Sequence, residues 1–262
     1  MNFPGIAADL AALAKPVIIV HGANAWRDEL ANALHREKTV ITSVSGYSSV
    51  LSDESAIELL MMSYAGLRNK RLVTALQKAG VNAVGLSGLD GRMIQGRRNR
   101  GIRVQDGDKV KILRDLSGRP ETLNAPLLDL LTEHGYTPVL TMPVLDENNE
   151  AINSENDDVV TLLCRHYHPQ VVVQLIEAPG LLRNPPEESS MIPTMHPSEL
   201  KAWEAQSTGR IKRKLHALAG LYLDSSPDVI LADGRREHPV MDALSGVGTV
   251  ISSRQPEPGA PS

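Results

Sequence analysis

The stretch PVIIVHGANAWRDELANALHR, residues 16–36, decides how the chain is read. Its first five residues form an unbroken apolar run, as expected of a parallel strand buried on both faces. His21-Gly22-Ala23-Asn24 then interrupts the run. From Trp26 to Arg36, charges fall on one face and Ala25, Leu30, Ala33 and Leu34 on another, which predicts an amphipathic helix. The small-residue turn therefore sits at a helix N-terminus, where backbone N–H groups and the helix dipole can meet an anion. Taken alone, such a turn is more often a plain strand-to-helix connection.

The same alternation continues outward. Acidic Asp53 and Glu54, apolar Ile57, Leu60, Met61 and Tyr64 at helical spacing, and Gly80 as a stop predict a helix from about 53 to 78. A short strand at 83–86 follows. Between 102 and 113 the segments IRVQ and KVKIL, joined through Asp106-Gly107, predict an antiparallel hairpin standing off the main sheet. A helix at 121–134 closed by Gly135, a strand at 137–144, a helix at 154–167, a strand at 170–176, a helix at 209–224 and a strand at 228–232 complete the pattern. Strands interleaved with helices imply right-handed crossovers and a mainly parallel sheet covered on both faces, a three-layer α/β sandwich. Residues 184–198, rich in Pro, Glu and Ser, read as a surface excursion, and 252–262 as a Pro-rich tail without order.

Composition narrows the class. Hydrophobic residues make up 42% and charged residues 22% of 262, which excludes wholesale disorder. A chain of this length buries roughly 70 to 75% of its unfolded surface on folding. Aromatics are only 3%, so Val, Ile and Leu must fill the core. Cys164 is the single cysteine, which leaves no internal disulfide and fits a reducing compartment. No apolar run approaches the roughly 20 residues of a membrane helix, and the start lacks the pattern of a secretory leader, so a cytoplasmic protein is expected. A net charge of −4 exerts no overall pull on nucleic acid or anionic lipid, and neither is an expected partner.

Ligands of open α/β sheets sit at the carboxyl ends of the strands, so the loops there carry the chemistry. Besides the turn at Gly22, Ser87-Gly88-Leu89-Asp90-Gly91 leads into Arg92, Arg97, Arg98, Arg100 and Arg103. Such a run is either a solvated basic face or a local attractor for a carboxylate-rich partner. In Asn153-Ser154-Glu155-Asn156-Asp157, an amide and a carboxylate four residues apart share a helix face. Lys212-Arg213-Lys214, after Thr208-Gly209, places cations at a helix start, where they can neutralise a phosphoryl group in flight. The plain alternatives are that Ser154 caps a helix and that the lysines are surface residues.

AGLRNKRLVTALQKAGVNAVGLSGLDGRMIQGRRN (65–99), LLDLLTEHGYTPVL (127–140), EAINSENDD (150–158), APGLL (178–182), TGRIKRK (208–214) and ILADGRREHPVMDALSGVGTVI (230–251) occur in this order. Over nearly the whole chain these blocks resemble the amino acid kinases, and within them the kinases of lysine and arginine biosynthesis that act on aminoadipate or glutamate held by an amino-group carrier protein. The resemblance implies the amino acid kinase fold, ATP and Mg2+ as cofactors, and transfer of the γ-phosphoryl group to a side-chain carboxylate to give an acyl phosphate. By the same resemblance Gly22 and Ala23 belong to the turn that contacts phosphate and substrate, and Asn153 and the position of Val50 to substrate binding. Asp157 belongs to the group that organises the lysines, and Lys214 to the lysine stabilising the transferring phosphoryl. Gly180, Lys212 and Lys214 fall at the nucleotide. Arg92, Arg97, Arg98 and Arg100 fall where an acidic carrier protein is received. The resemblance further implies an acceptor-binding lobe over 1–145 with a basic hairpin at 92–114, and a nucleotide-binding lobe over 146–251. It also implies a homodimer through the helix at 53–79, with Met61, Met62 and Tyr64 supplying the seam or, equally, core packing.

Departures from the family pattern set further expectations. The family opens on a strand carrying a catalytic lysine and two glycines, whereas Met1-Asn-Phe-Pro-Gly-Ile-Ala aligns with the helix after it. No lysine precedes Lys15, which leaves one phosphoryl-neutralising charge without a counterpart, and a start placed too late is the expected explanation. Ala23 replaces a glycine. Val50 replaces an arginine that grips the substrate's α-carboxylate, with no neighbour there to offer the same planar fork. Ile176-Glu177 replaces a small polar pair near the nucleotide. Three functions stand on this sequence: a kinase of a carrier-bound amino acid, an acetylglutamate kinase on the free small molecule, and a non-catalytic carrier-binding relative.

Overall fold

The computed structural model describes residues 1–36, 39–42, 44, 48–106 and 109–254. The chain forms two compact units, residues 16–163 and residues 1–15 together with 164–262. Relative to the lobes 1–145 and 146–251, residues 1–15 and 146–163 change sides.

In the unit 16–163, Thr137–Thr141 is the central strand of a parallel sheet, flanked by Ile19–Val20 and Ala83–Ser87. The apolar run at 16–20 joins the sheet by its last two residues. Val139 and Leu140 are fully buried, as are Leu76 of the helix Asn69–Lys78 and Leu128 of the helix Ala125–Glu133. Each leucine so buried contributes about 1.5–3 kcal/mol.

The helix expected over 53–78 is three segments: α-helical Glu54–Leu60, π-helical Met61–Arg68 and α-helical Asn69–Lys78. Asp53 caps the first, its carboxylate accepting from the Ala56 N–H at 2.8 Å. Within the wider turns Ser63 donates to the Leu59 carbonyl at 2.5 Å, a local side-chain bond that competes with the regular ladder. Tyr64 is only 4% exposed, while Met61 and Met62 remain on the surface. Tyr64 is thus an interior residue and contributes nothing to an external seam.

Residues expected to open a helix at 121 instead form the strand Gly118–Leu123, antiparallel to Ile94–Arg98. The helix starts at Ala125, where Asn124 accepts from the Leu127 N–H at 3.3 Å and Pro126 occupies the first turn. Pairing with a distant strand overrides the local helical pattern. The strand expected over 137–144 breaks at Met142-Pro143 and resumes as Val144–Leu145, which pairs with Ala151–Ile152 and with Gln95. Ile102–Asp106 and Lys109–Leu113 pair as the expected hairpin. Gly107 of its turn lies outside the described residues. Arg92, Arg97 and Arg98 precede the hairpin, on the helical turn Asp90–Arg92 and the strand Ile94–Arg98.

In the second unit, Val171–Ile176 runs parallel to Asp228–Asp233. Thr249–Ile251 joins antiparallel on the other side, and Thr194–Met195 pairs with it in parallel. Ile230 and Ala232 pack with Ala243 of the helix Pro239–Leu244 and with Val173, Leu175 and Val250. Val229 and Leu231, alternate along the same strand, are buried on the opposite face. The helix Gly209–Asp224 has its expected bounds and buries Leu215, Leu218 and Leu221 on one side. Asp9 of the helix Phe3–Leu13 accepts from the Val240 and Met241 N–H groups at 2.9 and 3.1 Å, which satisfies the N-terminus of Pro239–Leu244. The excursion at 184–198 supplies the strand Thr194–Met195 and leads into a helix, Leu200–Gln206. Residues 255–262 of the expected tail lie outside the described residues. No helix among the described residues is long and apolar enough to cross a membrane.

Candidate active site

His21, Gly22 and Ala23 link the strand Ile19–Val20 to the helix Asn24–Ala33. A Cβ on Gly22 would lie 2.7 Å from Nδ2 of Asn156, so any side chain there would push that amide aside. Ala23 has φ of −148°, an extended conformation open to any residue, so the loss of a glycine there strains nothing. Asn156 opens the helix Asn156–Tyr167, and its amide covers the turn. Oδ1 of that amide and Oγ of Ser154 are buried without a hydrogen-bond partner. Ser154 therefore does not cap the helix, which begins two residues later. A buried polar atom left unsatisfied costs about 1–3 kcal/mol. The orphaned Asn156 oxygen belongs to the amide that lies over the Gly22 turn.

The turn is held from below. Asn69, 1% exposed, donates to the Val139 carbonyl at 3.0 Å and meets His21 Nε2 at 3.1 Å, while its Oδ1 accepts from Lys70 at 3.2 Å. Because the amide nitrogen faces Nε2, that ring atom is the acceptor, and His21 Nδ1–H points at the Gly22 carbonyl, 3.4 Å away. Burial lowers the His21 pKa to about 4; the bond to Gly22 opposes the shift and Arg68 adds to it. The imidazole is thus neutral at pH 7. Above about pH 6.5 neither the folded nor the unfolded chain protonates it, and it exacts no penalty. As pH falls from about 6.5 to about 4 the unfolded chain gains a proton that the folded chain refuses, and stability drops by about 3 kcal/mol. Urea midpoints measured across this window should fall in the parent protein, and His21→Gln should flatten that part of the curve. An unchanged curve would place His21 in solvent.

Val50 and Asn153 line one cavity of 20 Å³, together with Ser52, Ser55, Thr39 and Arg27. Asn153 is fixed on three sides: Nδ2 donates to Ser52 Oγ at 3.2 Å, its N–H to the Leu116 carbonyl at 2.8 Å, and its carbonyl accepts from Gly118 at 2.9 Å. Val50 supplies an apolar wall. Arg27 corrects the expectation that no residue there offers a planar cationic fork. It stands 23 positions earlier, in the first turn of the helix after Gly22, and only the fold brings it to the cavity. Its Nε and Nη2 hold Asp28 Oδ1 at 3.2 and 3.1 Å, and its side chain is 17% exposed. Tyr64 donates to Asn24 Oδ1 at 2.9 Å. Burial raises the tyrosine pKa, Arg27 and a bond to Ala23 opposing and Glu155 and Asp28 adding, so the phenol remains a donor.

In the other unit, Lys214 donates to Gln174 Oε1 at 2.9 Å. Lys212 and Lys214 stand early in the helix Gly209–Asp224, whose first turn holds no acidic residue. A cation in the first turn of a helix is unfavourable by about 0.3–1 kcal/mol, and a bound phosphate reverses that sign; Lys214, the sixth residue, lies beyond that turn. At residue 180 a Cβ would meet Thr249 Oγ1 at 2.5 Å, and the same hydroxyl accepts from the Leu181 N–H at 2.8 Å. Packing alone thus requires Gly180. Asp157 occupies the first turn of the helix Asn156–Tyr167, at the pole that favours a carboxylate. Asp157 and Lys214 belong to different units. Among the described residues no group of three or more His, Cys, Asp or Glu could hold a metal ion. Cys164 is buried, which pushes its thiol up to about 11 and makes it inert.

Arg92, Arg97 and Arg100 are exposed, and Arg97 pairs with Glu121 at 3.2 Å. Arg98 is half-buried; its Nε donates to the Asp115 carbonyl at 3.2 Å and its N–H to the Glu147 carboxylate at 2.9 Å. The four arginines therefore do not share one solvent face. The hairpin accepts from Val44 N–H at the Arg103 carbonyl, 3.0 Å away, and the segment after it reaches the cavity, where Leu116 N–H donates to the Ser52 carbonyl at 2.6 Å.

Parallel sheets, a glycine turn at a helix start and a polar cavity beside it define an α/β protein equipped for an anionic ligand. The amino acid kinase family model matches residues 2–232, and the chain belongs to that family. It is 40% identical over 257 residues to the [LysW]-aminoadipate kinase of Thermus thermophilus, covering 96% of each chain. It is 36% identical over 256 residues to the [LysW]-aminoadipate kinase of Deinococcus radiodurans, covering 96% of this chain and 88% of that one. Its fold is similar to that of N-acetylglutamate synthase from Neisseria gonorrhoeae, with a TM-score of 0.76 at 19% identity over 97% of this chain. The chain spans 56% of that longer protein.

Proposed function

We propose that this protein is an ATP-dependent kinase that phosphorylates the side-chain carboxylate of an acidic amino acid, aminoadipate or glutamate, carried on an acidic amino-group carrier protein. The observation that carries the reading is the small cavity of Arg27, Val50, Ser52 and Asn153, whose backbone is bonded at Leu116 and Gly118 to the segment after the hairpin, where Gly118 pairs with Arg98 of the strand Ile94–Arg98. One polar end of a tethered acceptor can enter such a cavity while its carrier rests against the arginines. Naming of both relatives for a carrier-linked aminoadipate favours this acceptor over a free acetylated one.

In the reaction an acceptor carboxylate oxygen attacks the γ-phosphorus, the bond to the β-phosphate oxygen breaks, and ADP leaves. Asn153 orients the acceptor, and the N–H groups after Gly22 meet the phosphoryl oxygens. Lys214 and Lys212, with the N-terminus of their helix, offset the negative charge on the nucleotide, beside the turn at Gly180. Mg2+, bound together with the nucleotide, would supply charge neutralisation to its phosphates. The acceptor then belongs to the unit 16–163 and the nucleotide to the other. Exposed Met61, Met62 and Leu67 offer a homodimer seam, and a reducing cytoplasm suits the free thiol of Cys164.

The test is ATP turnover with hydroxylamine trapping of acyl phosphate, using carrier-bound and free aminoadipate and glutamate. Hydroxamate formed in preference from the carrier-bound acid is expected. Carrier binding without any hydroxamate would make the protein a binding relative of these kinases and end the catalytic reading.

A further inference from the structure

We infer that Arg27 grips the non-reacting carboxylate of the acceptor, and so makes the site selective for a dicarboxylic acid; this rests on the kinase reading above. The cavity lined by Arg27 is small, 20 Å³, room for one small polar end of a ligand rather than a whole amino acid. Around it stand the hydroxyls of Ser52, Ser55 and Thr39 and the amide of Asn153. Among the described residues the one carboxylate in the lining, Asp53, is already committed to the Ala56 N–H at 2.8 Å. A guanidinium among neutral donors is a site for an anion, and a planar one suits a carboxylate.

Arg27 is also held in place. Asp28 takes Nε and Nη2 on one oxygen, two of the five N–H donors of the fork. That pairing fixes the side chain and leaves the Nη1 edge for a second carboxylate. Arg27 is close enough to Tyr64 to act on its ionisation, and Tyr64 in turn bonds Asn24 at 2.9 Å, next to the Gly22 turn. An acid anchored on Arg27 thus lies near the turn where its other carboxylate must meet the phosphoryl group. Val50, on the same lining, leaves Arg27 as the cation of that lining among the described residues. Arg36 stands further back, reaching Ser55 at 3.4 Å while paired with Glu58 at 2.7 Å.

The experiment compares N-acyl aminoadipate with its 1-carboxamide, which lacks only the anchored carboxylate. Calorimetric binding is measured with the parent protein, Arg27→Met, Arg27→Lys and the double variant Arg27→Met/Val50→Arg, each checked for folding by thermal melting. The parent should prefer the diacid by about 100-fold, the worth of a charge-assisted fork. Arg27→Met should erase that preference while nucleotide affinity is unchanged, Arg27→Lys should keep part of it, and an arginine restored from position 50 across the same cavity should recover it. A folded Arg27→Met protein that still prefers the diacid, or a parent that never does, overturns the assignment. Hydroxamate formation from the diacid is scored separately and reports on the kinase reading alone, so the two can fail independently.

Discussion

Replacing Lys214 by methionine should lower phosphoryl transfer by about 10²–10³-fold, the usual loss when one preorganised group facing a developing charge is removed. Stability should fall only modestly. The variant loses a part-buried hydrogen bond to Gln174, worth about 0.5–1.5 kcal/mol. A fall in kcat and kcat/KM together, with acceptor binding intact, would mark an interaction made in the transition state. A rate within about threefold of the parent, in a folded variant, would remove Lys214 from the phosphoryl path.

What was legible in the sequence is what local patterning decides. Gly209–Asp224 is readable to its ends because Gly209 opens it and Leu215, Leu218 and Leu221 recur on one face. The hairpin Ile102–Leu113 is readable because alternation flanks a turn dipeptide. Gly118–Leu123 was not, because its strand character comes from pairing with Ile94–Arg98, some 25 positions away. The π-helical stretch was hidden too: residues 53–78 keep a helical apolar spacing, and only the altered turn sends Tyr64 inward to Asn24. The candidate site divides the same way. Gly22, Asn153 and the lysines sit at strand ends and helix starts, positions that a strand–helix alternation exposes directly. Arg27 gave no such signal, since one arginine in an amphipathic helix reads as surface, and its value comes from Val50, Ser52 and Asn153 folding against it. Nor could the sequence separate Arg98 from its neighbours; it takes the Asp115 carbonyl at 3.2 Å to show that it points inward.

That difference decides how carrier recognition should be tested. Reversing Arg97 and Arg100 to glutamate leaves the interior untouched, because both are exposed and Arg97 gives up a surface pair with Glu121, worth about 0–1 kcal/mol, and its attraction for exposed Glu147. Reversing Arg98 would place a carboxylate against the buried Asp115, 2% exposed, and would confuse misfolding with lost recognition. The double variant Arg97→Glu/Arg100→Glu should weaken binding of an acidic carrier about 100-fold at low salt, because each substitution exchanges an attraction for a repulsion. The effect should shrink as salt rises, since at about 1 M the Debye length is near 3 Å and exposed charges scarcely sense one another. Titrating the carrier at several salt concentrations gives both numbers. A salt-independent loss would point to a damaged fold, and an undiminished affinity would move the docking surface away from these arginines. The expected pattern would leave association driven by long-range charge, with Arg27 and Asn153 selecting the acceptor once it has arrived.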